Sequence, residues 1–254
     1  MAPDWRYINI MPAIIEIKNL KKKFGDFTAV NGISFGVEEG TITGLLGPNG
    51  AGKTTTIQMI LDIITPTSGD INIFGMNMKH DRAKILSRMN FSSPYVAMPS
   101  NLRVWENLYT FSRLYGVKDY KNKINEVATF FGVESMLAKM TSELSTGQLT
   151  RMNLTKALLN DPKLLLLDEP TASLDPDIAD KTRVILKRIQ KEKGVTILYT
   201  SHNMEEVEEI CDRVIFLQNG NIKNEGTPAE LVKEYGHKDL NDVFLAIARE
   251  NTNN

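Results

Sequence analysis

Residues 14–20 read IIEIKNL, short, rich in β-branched side chains and roughly alternating between apolar and polar positions, which predicts a half-buried strand. Ile33, Phe35 and Val37 repeat the period of two before the turn at Glu38, Glu39 and Gly40, so a second such strand is expected. Residues 41–46 (TITGLL) are almost wholly apolar and run into Gly47 and Pro48, the pattern of a strand covered on both faces. Residues 52–64 then read as a helix stopped near Pro66. Further along, helical patterns near 147–160, 177–192 and 204–210 alternate with strand patterns at 163–167, 195–200 and 213–217. That alternation predicts a parallel sheet with crossover helices. The stretch between the two regions reads as free of strands. Val104, Leu108, Phe111 and Leu114, and then Ile124, Val127, Phe130 and Phe131, fall at helical spacing, so a helical insert is expected over about 94–146. Asn219-Gly220 between VIFLQ and NIKNEG predicts a hairpin, and two helices are expected after Thr227.

Composition narrows the class. Of 254 residues 42% are hydrophobic and 24% charged, which excludes disordered and collagen-like chains. Thirty Lys+Arg against thirty-one Asp+Glu leave a net charge of -1, so no bulk field recruits nucleic acid or anionic lipid, and no nucleic-acid partner is expected. A bound polyanion must be held by local geometry. Cys211, the single cysteine, has no internal partner for a disulfide, which suits a reducing compartment such as the cytoplasm. The apolar runs are too short to span a bilayer, and residues 1–13, interrupted by Asn9 and Pro12, read as a loose extension.

The sequence Gly47-Pro48-Asn49-Gly50-Ala51-Gly52-Lys53-Thr54-Thr55 matches G-x-x-x-x-G-K-[ST] between a predicted buried strand and a predicted helix. Its glycines let backbone N–H groups converge on phosphates, and the helix adds its positive dipole end. Lys53 is expected to reach the β- and γ-phosphates and the Thr54 hydroxyl to ligate Mg²⁺. Asp168, at the end of the apolar run 164–167, supplies a second metal ligand, and Glu169 directly after it is placed to polarise an attacking water. A nucleotide's phosphates and Mg²⁺ are the expected ligands.

Leu144-Ser145-Thr146-Gly147-Gln148, 20 residues before Leu164, resembles the LSGGQ signature of ABC ATPases, with Thr146 in place of a glycine. The resemblance extends over about residues 14–226 and implies that family's α/β P-loop fold: a mostly parallel sheet core, an N-terminal antiparallel β part and a helical insert, here followed by a C-terminal helical tail over 227–254. It also implies that the nucleotide is ATP, and it implies roles. Ser145, Gly147 and Gln148 would close over the nucleotide of a second copy in a head-to-tail ATP sandwich, Asp175 would belong to the D-loop at that interface, and His202 would contact the γ-phosphate. Phe24 would stack on adenine. Where the family has a Mg²⁺-binding glutamine this chain has Ser93, whose shorter hydroxyl would reach the ion through a water.

The same resemblance implies transport, with an integral membrane permease docking on the helical insert and holding the subunit on the inner face of the membrane. Leu240-Asn-Asp-Val-Phe-Leu245 is similar to a tail motif of exporter subunits, which favours export. A soluble ABC ATPase outside transport and a nucleotide-dependent switch are the alternatives. Against them stand the absence of long coiled-coil or zinc insertions and the presence of both Glu169 and His202. Lys21, Lys22 and Lys23 read as a solvated strand face, and His80, His237 and Cys211 lack the spacing of a zinc site.

Overall fold

The computed structural model describes residues 13–94 and 96–249. From its start the chain forms β1 (Ala13–Phe24), β2 (Phe27–Glu38), the fully buried β3 (Ile42–Leu46), α1 (Lys53–Ile60), β4 (Ser68–Ile73), β5 (Met76–Asn77), α2 (Met78–Leu86) and β6 (Met89–Ser92). Helices α3 (Val104–Leu114) and α4 (Tyr120–Phe130) follow, then α5 (Thr146–Ala157), β7 (Leu164–Asp168), α6 (Pro176–Lys193), β8 (Thr196–Thr200) and α7 (Met204–Ile210). The hairpin β9 (Arg213–Gln218) and β10 (Asn221–Gly226) and two helices, α8 (Pro228–Tyr235) and α9 (Leu240–Arg249), complete it.

Two sheets result. One is antiparallel, in the order β2-β1-β4-β5; the other runs β10-β9-β3-β8-β7-β6 and is parallel except for β10. Alternation along the central strands sorts their side chains into two cores. Leu45, Leu164, Leu166, Leu198, Ile215 and Leu217 face the antiparallel sheet, where Ile15, Ile17, Val30 and Ile73 meet them. Ile42, Leu46, Leu165, Leu167, Ile197, Tyr199 and Phe216 face the opposite side, against Val104, Leu108, Ile124, Met152 and Val243. Each such side chain contributes roughly 1.5–3 kcal/mol by leaving water. A strand buried on both faces needs apolar residues at every position, which is why 164–167 reads LLLL.

Three expectations need correction. The stretch after α1 is not free of strands: β4 and β5 extend the antiparallel sheet and β6 forms the edge of the parallel one. β4 reads SGDINI and β6 reads MNFS, and both are held by pairing with distant partners, Ile71 opposite Ile17 and Asn90 opposite Leu165, rather than by local propensity. The helix expected to reach Ile64 stops at Ile60, because Asp62 enters the left-handed region (φ 54°) and Ile63 N–H turns back to Gln58 O. Ala13, assigned to a loose extension, opens β1; the remainder of that extension, residues 1–12, lies outside the described residues. The Asn219-Gly220 hairpin forms as expected, with φ of 49° and 72°.

Candidate functional site

β3 delivers the chain to the Gly-rich loop at the carboxyl edge of the parallel sheet, and α1 leaves from it. The loop lies hard against its neighbours. A Cβ on Gly47 (φ 148°) would stand 2.1 Å from the Leu217 carbonyl oxygen, and one on Gly52 (φ 105°) 2.6 Å from that of Ala29. Only glycine fits either position. Ala51 N–H donates to Pro48 O (3.1 Å) and Gly220 N–H to Ala51 O (3.0 Å), so the β9–β10 turn props the loop from behind. Lys53 Nζ donates to Gly47 O (2.6 Å) and Pro48 O (3.1 Å). Burial lowers its pKa, while the charges of Glu169 and Asp168 act in the opposite direction, so the lysine and both carboxylates share one electrostatic environment. Asn49, Gly50 and Thr54 are exposed; Pro48 and Thr55 are half-buried.

β7 and β8 are parallel neighbours with Asp168 opposite Thr200, and this register assembles the second half of the site. Thr200 Oγ1 donates to Asp168 Oδ1 (2.6 Å). Glu169 N–H points to Thr200 O (3.2 Å) and to its Oγ1 (3.1 Å), and the residue takes a positive φ of 51° that turns its side chain out of the strand path. His202 Nδ1 lies 2.6 Å from Glu169 Oε2. A carboxylate only accepts, so this contact assigns the proton to Nδ1 and turns Nε2 away from the pair. Glu169 and His202 line a cleft of about 350 Å³ with Thr171, Ser201 and Glu206.

The other expected residues lie as follows. Ser93, buried, comes directly after β6, whose paired register ends with Ser92 opposite Leu167, one residue before Asp168. Ser145 caps α5, accepting from Gln148 N–H (3.3 Å) while Gln148 Oε1 accepts from Ser145 N–H (3.0 Å). Gly147 packs on the turn before Asp175: a Cβ there would lie 3.1 Å from Ser173 O. Asp175 is the exposed N-cap residue of α6, with Pro176 in the first turn. Phe24 is half exposed at the end of β1, with Lys22 Nζ 4.9 Å from its ring centre. The fold therefore brings Lys53, Asp168, Glu169 and His202 together. Among the described residues no hydrogen bond or ion pair links Ser145, Gly147 or Gln148 to residues 47–55.

Residues 30–172, more than half of the chain, match the family described as ABC transporter. The chain belongs to this family. It is 37% identical over 234 residues to the "Probable multidrug ABC transporter ATP-binding protein YbhF" of Escherichia coli (strain K12), a match that covers 91% of this chain and 40% of that protein. It thus spans well under half the length of that relative. It is 38% identical over 236 residues to "Nod factor export ATP-binding protein I" of Rhizobium sp. (strain N33), covering 91% of this chain and 76% of the relative. A solved structure described as the ATP binding subunit of an ABC transporter superposes with a TM-score of 0.85 at 26% identity, over 92% of this chain and 99% of that one. The α/β arrangement is that of an ABC ATPase cassette, with the antiparallel N-terminal sheet and mostly parallel core expected of it.

Two residues of the site were not singled out from sequence. Thr200 ends the strand TILYT and shows its importance only once β8 is set beside Asp168. Glu206 stands three residues after Asn203, the spacing of a solvent-facing capping box. Asn203 does cap α7, but the Glu206 side chain is buried and turns inward.

Proposed function

We propose that the chain is the nucleotide-binding subunit of an exporter, hydrolysing MgATP to drive transport through a separate membrane permease. The observation that carries this reading is the Glu169–His202 contact of 2.6 Å at the ends of β7 and β8, within the field of Lys53. In it the backbone N–H groups of residues 49–54 cradle the phosphates, and Lys53 leaves its loop carbonyls for the β- and γ-phosphate oxygens. Glu169 orients a water and takes its proton, and His202 holds the carboxylate in place while presenting Nε2 toward the terminal phosphate.

The donor set fits Mg²⁺. Among the described residues no three His, Cys, Asp or Glu side chains are grouped to hold a metal, whereas the Thr54 hydroxyl and Asp168 carboxylate offer the sparse oxygen donors of an ion that shares its shell with phosphates and water. Bound there, Mg²⁺ would neutralise charge on the phosphates, with Ser93 contributing through a water from the neighbouring strand. Ser145, Gly147, Gln148 and Asp175 are read as the half-site presented to a second copy, and Phe24 as the adenine platform. Export is favoured because the curated relative from Rhizobium is named for it.

Steady-state hydrolysis of MgATP tests the reading. Glu169→Gln is expected to lower kcat by about 10²–10⁴-fold and leave nucleotide binding intact. Lys53→Ala is expected to weaken binding itself. Wild-type turnover by Glu169→Gln would remove Glu169 from the role of base.

A further inference from the structure

Beneath the Glu169–His202 pair lies another carboxylate, one that the chemistry above leaves unused. Glu206 is 4% exposed, and its two oxygens serve two different loops. Oε2 accepts from Ser201 Oγ (2.9 Å), which itself accepts from Asn203 N–H (3.0 Å), so the turn carrying His202 closes around one hydroxyl. Oε1 accepts from Thr171 Oγ1 (2.7 Å) and from the Tyr199 hydroxyl (2.6 Å). Thr171 belongs to the turn that leads from Glu169 to Asp175: Ala172 N–H returns to Glu169 O (3.3 Å) and Leu174 N–H to Thr171 O (3.0 Å). Arg183 of α6 brings Nη1 to 3.9 Å from Oε1, and its Nε lies 2.7 Å from Glu209 Oε2.

A carboxylate taken out of water costs several kcal/mol unless its lone pairs are filled, and for packing alone an apolar side chain would serve better. What the charge adds is direction. It makes each of the three hydroxyls a donor and draws them to a single point from β8 and from both loops. Burial together with the Glu206 charge holds the Tyr199 phenol well above its ordinary pKa, so that hydroxyl keeps its proton.

We propose that Glu206 is a positioning residue that ties the His202 turn to the Glu169–Asp175 turn, so that the Glu169 carboxylate and the His202 imidazole hold one mutual geometry. This rests on the roles given above to Glu169 and His202.

Glu206→Gln keeps the shape but exchanges one acceptor oxygen for an NH₂ donor, so one of the two loops must lose or reverse its hydrogen bond. The expected result is a fall in kcat of about tenfold or more, because small misplacements of reacting groups are costly. KM for ATP should stay within about twofold, since the phosphate cradle is untouched. Ser201→Ala and Thr171→Val, each releasing one loop, should show the same split between kcat and KM. Proton NMR of the histidine rings, recorded without nucleotide, provides a readout independent of hydrolysis. The chain has three histidines, and the His202 resonance should shift or broaden in Glu206→Gln and Ser201→Ala while those of His80 and His237 stay in place. Wild-type kcat in Glu206→Gln, or an unmoved His202 resonance, overturns the proposal. Should Glu206→Gln fail to fold, Ser201→Ala decides it on both readouts and Thr171→Val on the split between kcat and KM. A wild-type chain that does not hydrolyse ATP overturns the ATPase reading instead, and the NMR comparison still decides the Glu206 tie.

Discussion

Lys156, on α5, is 5% exposed, and its Nζ donates to Phe91 O (3.1 Å) with the Phe111 ring centre 5.6 Å away. Burial lowers its pKa from 10.5 to about 8. Between those values the unfolded chain holds a proton that the folded chain has shed, so this group makes stability rise with pH from about 8 to 10.5 and weakens the fold below that window. At about 1.4 kcal/mol per pKa unit, the swing is on the order of 3 kcal/mol. Lys156→Met should therefore be more resistant to urea than wild type at pH 7, with the gap closing by pH 10; equal gaps at both would show that the amine is hydrated. Residues whose chemistry depends on local spacing, such as Gly47, Lys53, Asp168 and Glu169, are legible in sequence because spacing along the chain dictates their surroundings. Lys156, Thr200 and Glu206 are not, because their roles come from partners 65, 32 and 35 positions away.

At the level of elements, α9 is fastened at both ends to parts that support the site. Leu240 N–H, at its start, donates to Glu208 of α7, the helix that begins just after His202. Near its end the carbonyl of Ile247 accepts from Gln218 Nε2 (2.7 Å), and Gln218 directly follows the Leu217 carbonyl that abuts Gly47. Gln218 is buried, so Gln218→Leu leaves a helix-terminal carbonyl without its donor and is expected to cost about 1–3 kcal/mol. Amide exchange should speed up over residues 240–249, and unchanged protection there would mean that packing of Phe244 on Phe216 alone holds α9. Elements with a strong periodic signal, α3, α6, β7 and β8, stand out in the sequence. β4 and β6 do not: of their polar positions, Asp70 is exposed to water, and Asn90, which is buried, donates to Asn160 Oδ1 (2.9 Å).

For the whole molecule, the ABC sandwich reading makes assembly depend on nucleotide. In that reading Ser145 and Gly147 complete a site only across a subunit boundary, so the Glu169→Gln variant should double in mass by light scattering when MgATP is added at micromolar protein. A monomer under those conditions, with nucleotide bound, would count against the composite site. No helix among the described residues is long and apolar enough to cross a membrane. Heat resistance, too, belongs to the whole chain, and in the proposed mechanism it competes with turnover at one residue. Glu169 has a left-handed backbone (φ 51°), a conformation that costs a side chain such as glutamate about 1–3 kcal/mol; glycine is spared that strain but gives back about 0.4–1 kcal/mol in backbone entropy. Glu169→Gly should melt a few degrees above wild type and, with the proposed base gone, turn over about 10²–10⁴-fold more slowly. A library of this chain selected for thermal survival alone would drift toward glycine at that position and enrich slow enzyme, so any stabilisation campaign must screen for turnover in the same round.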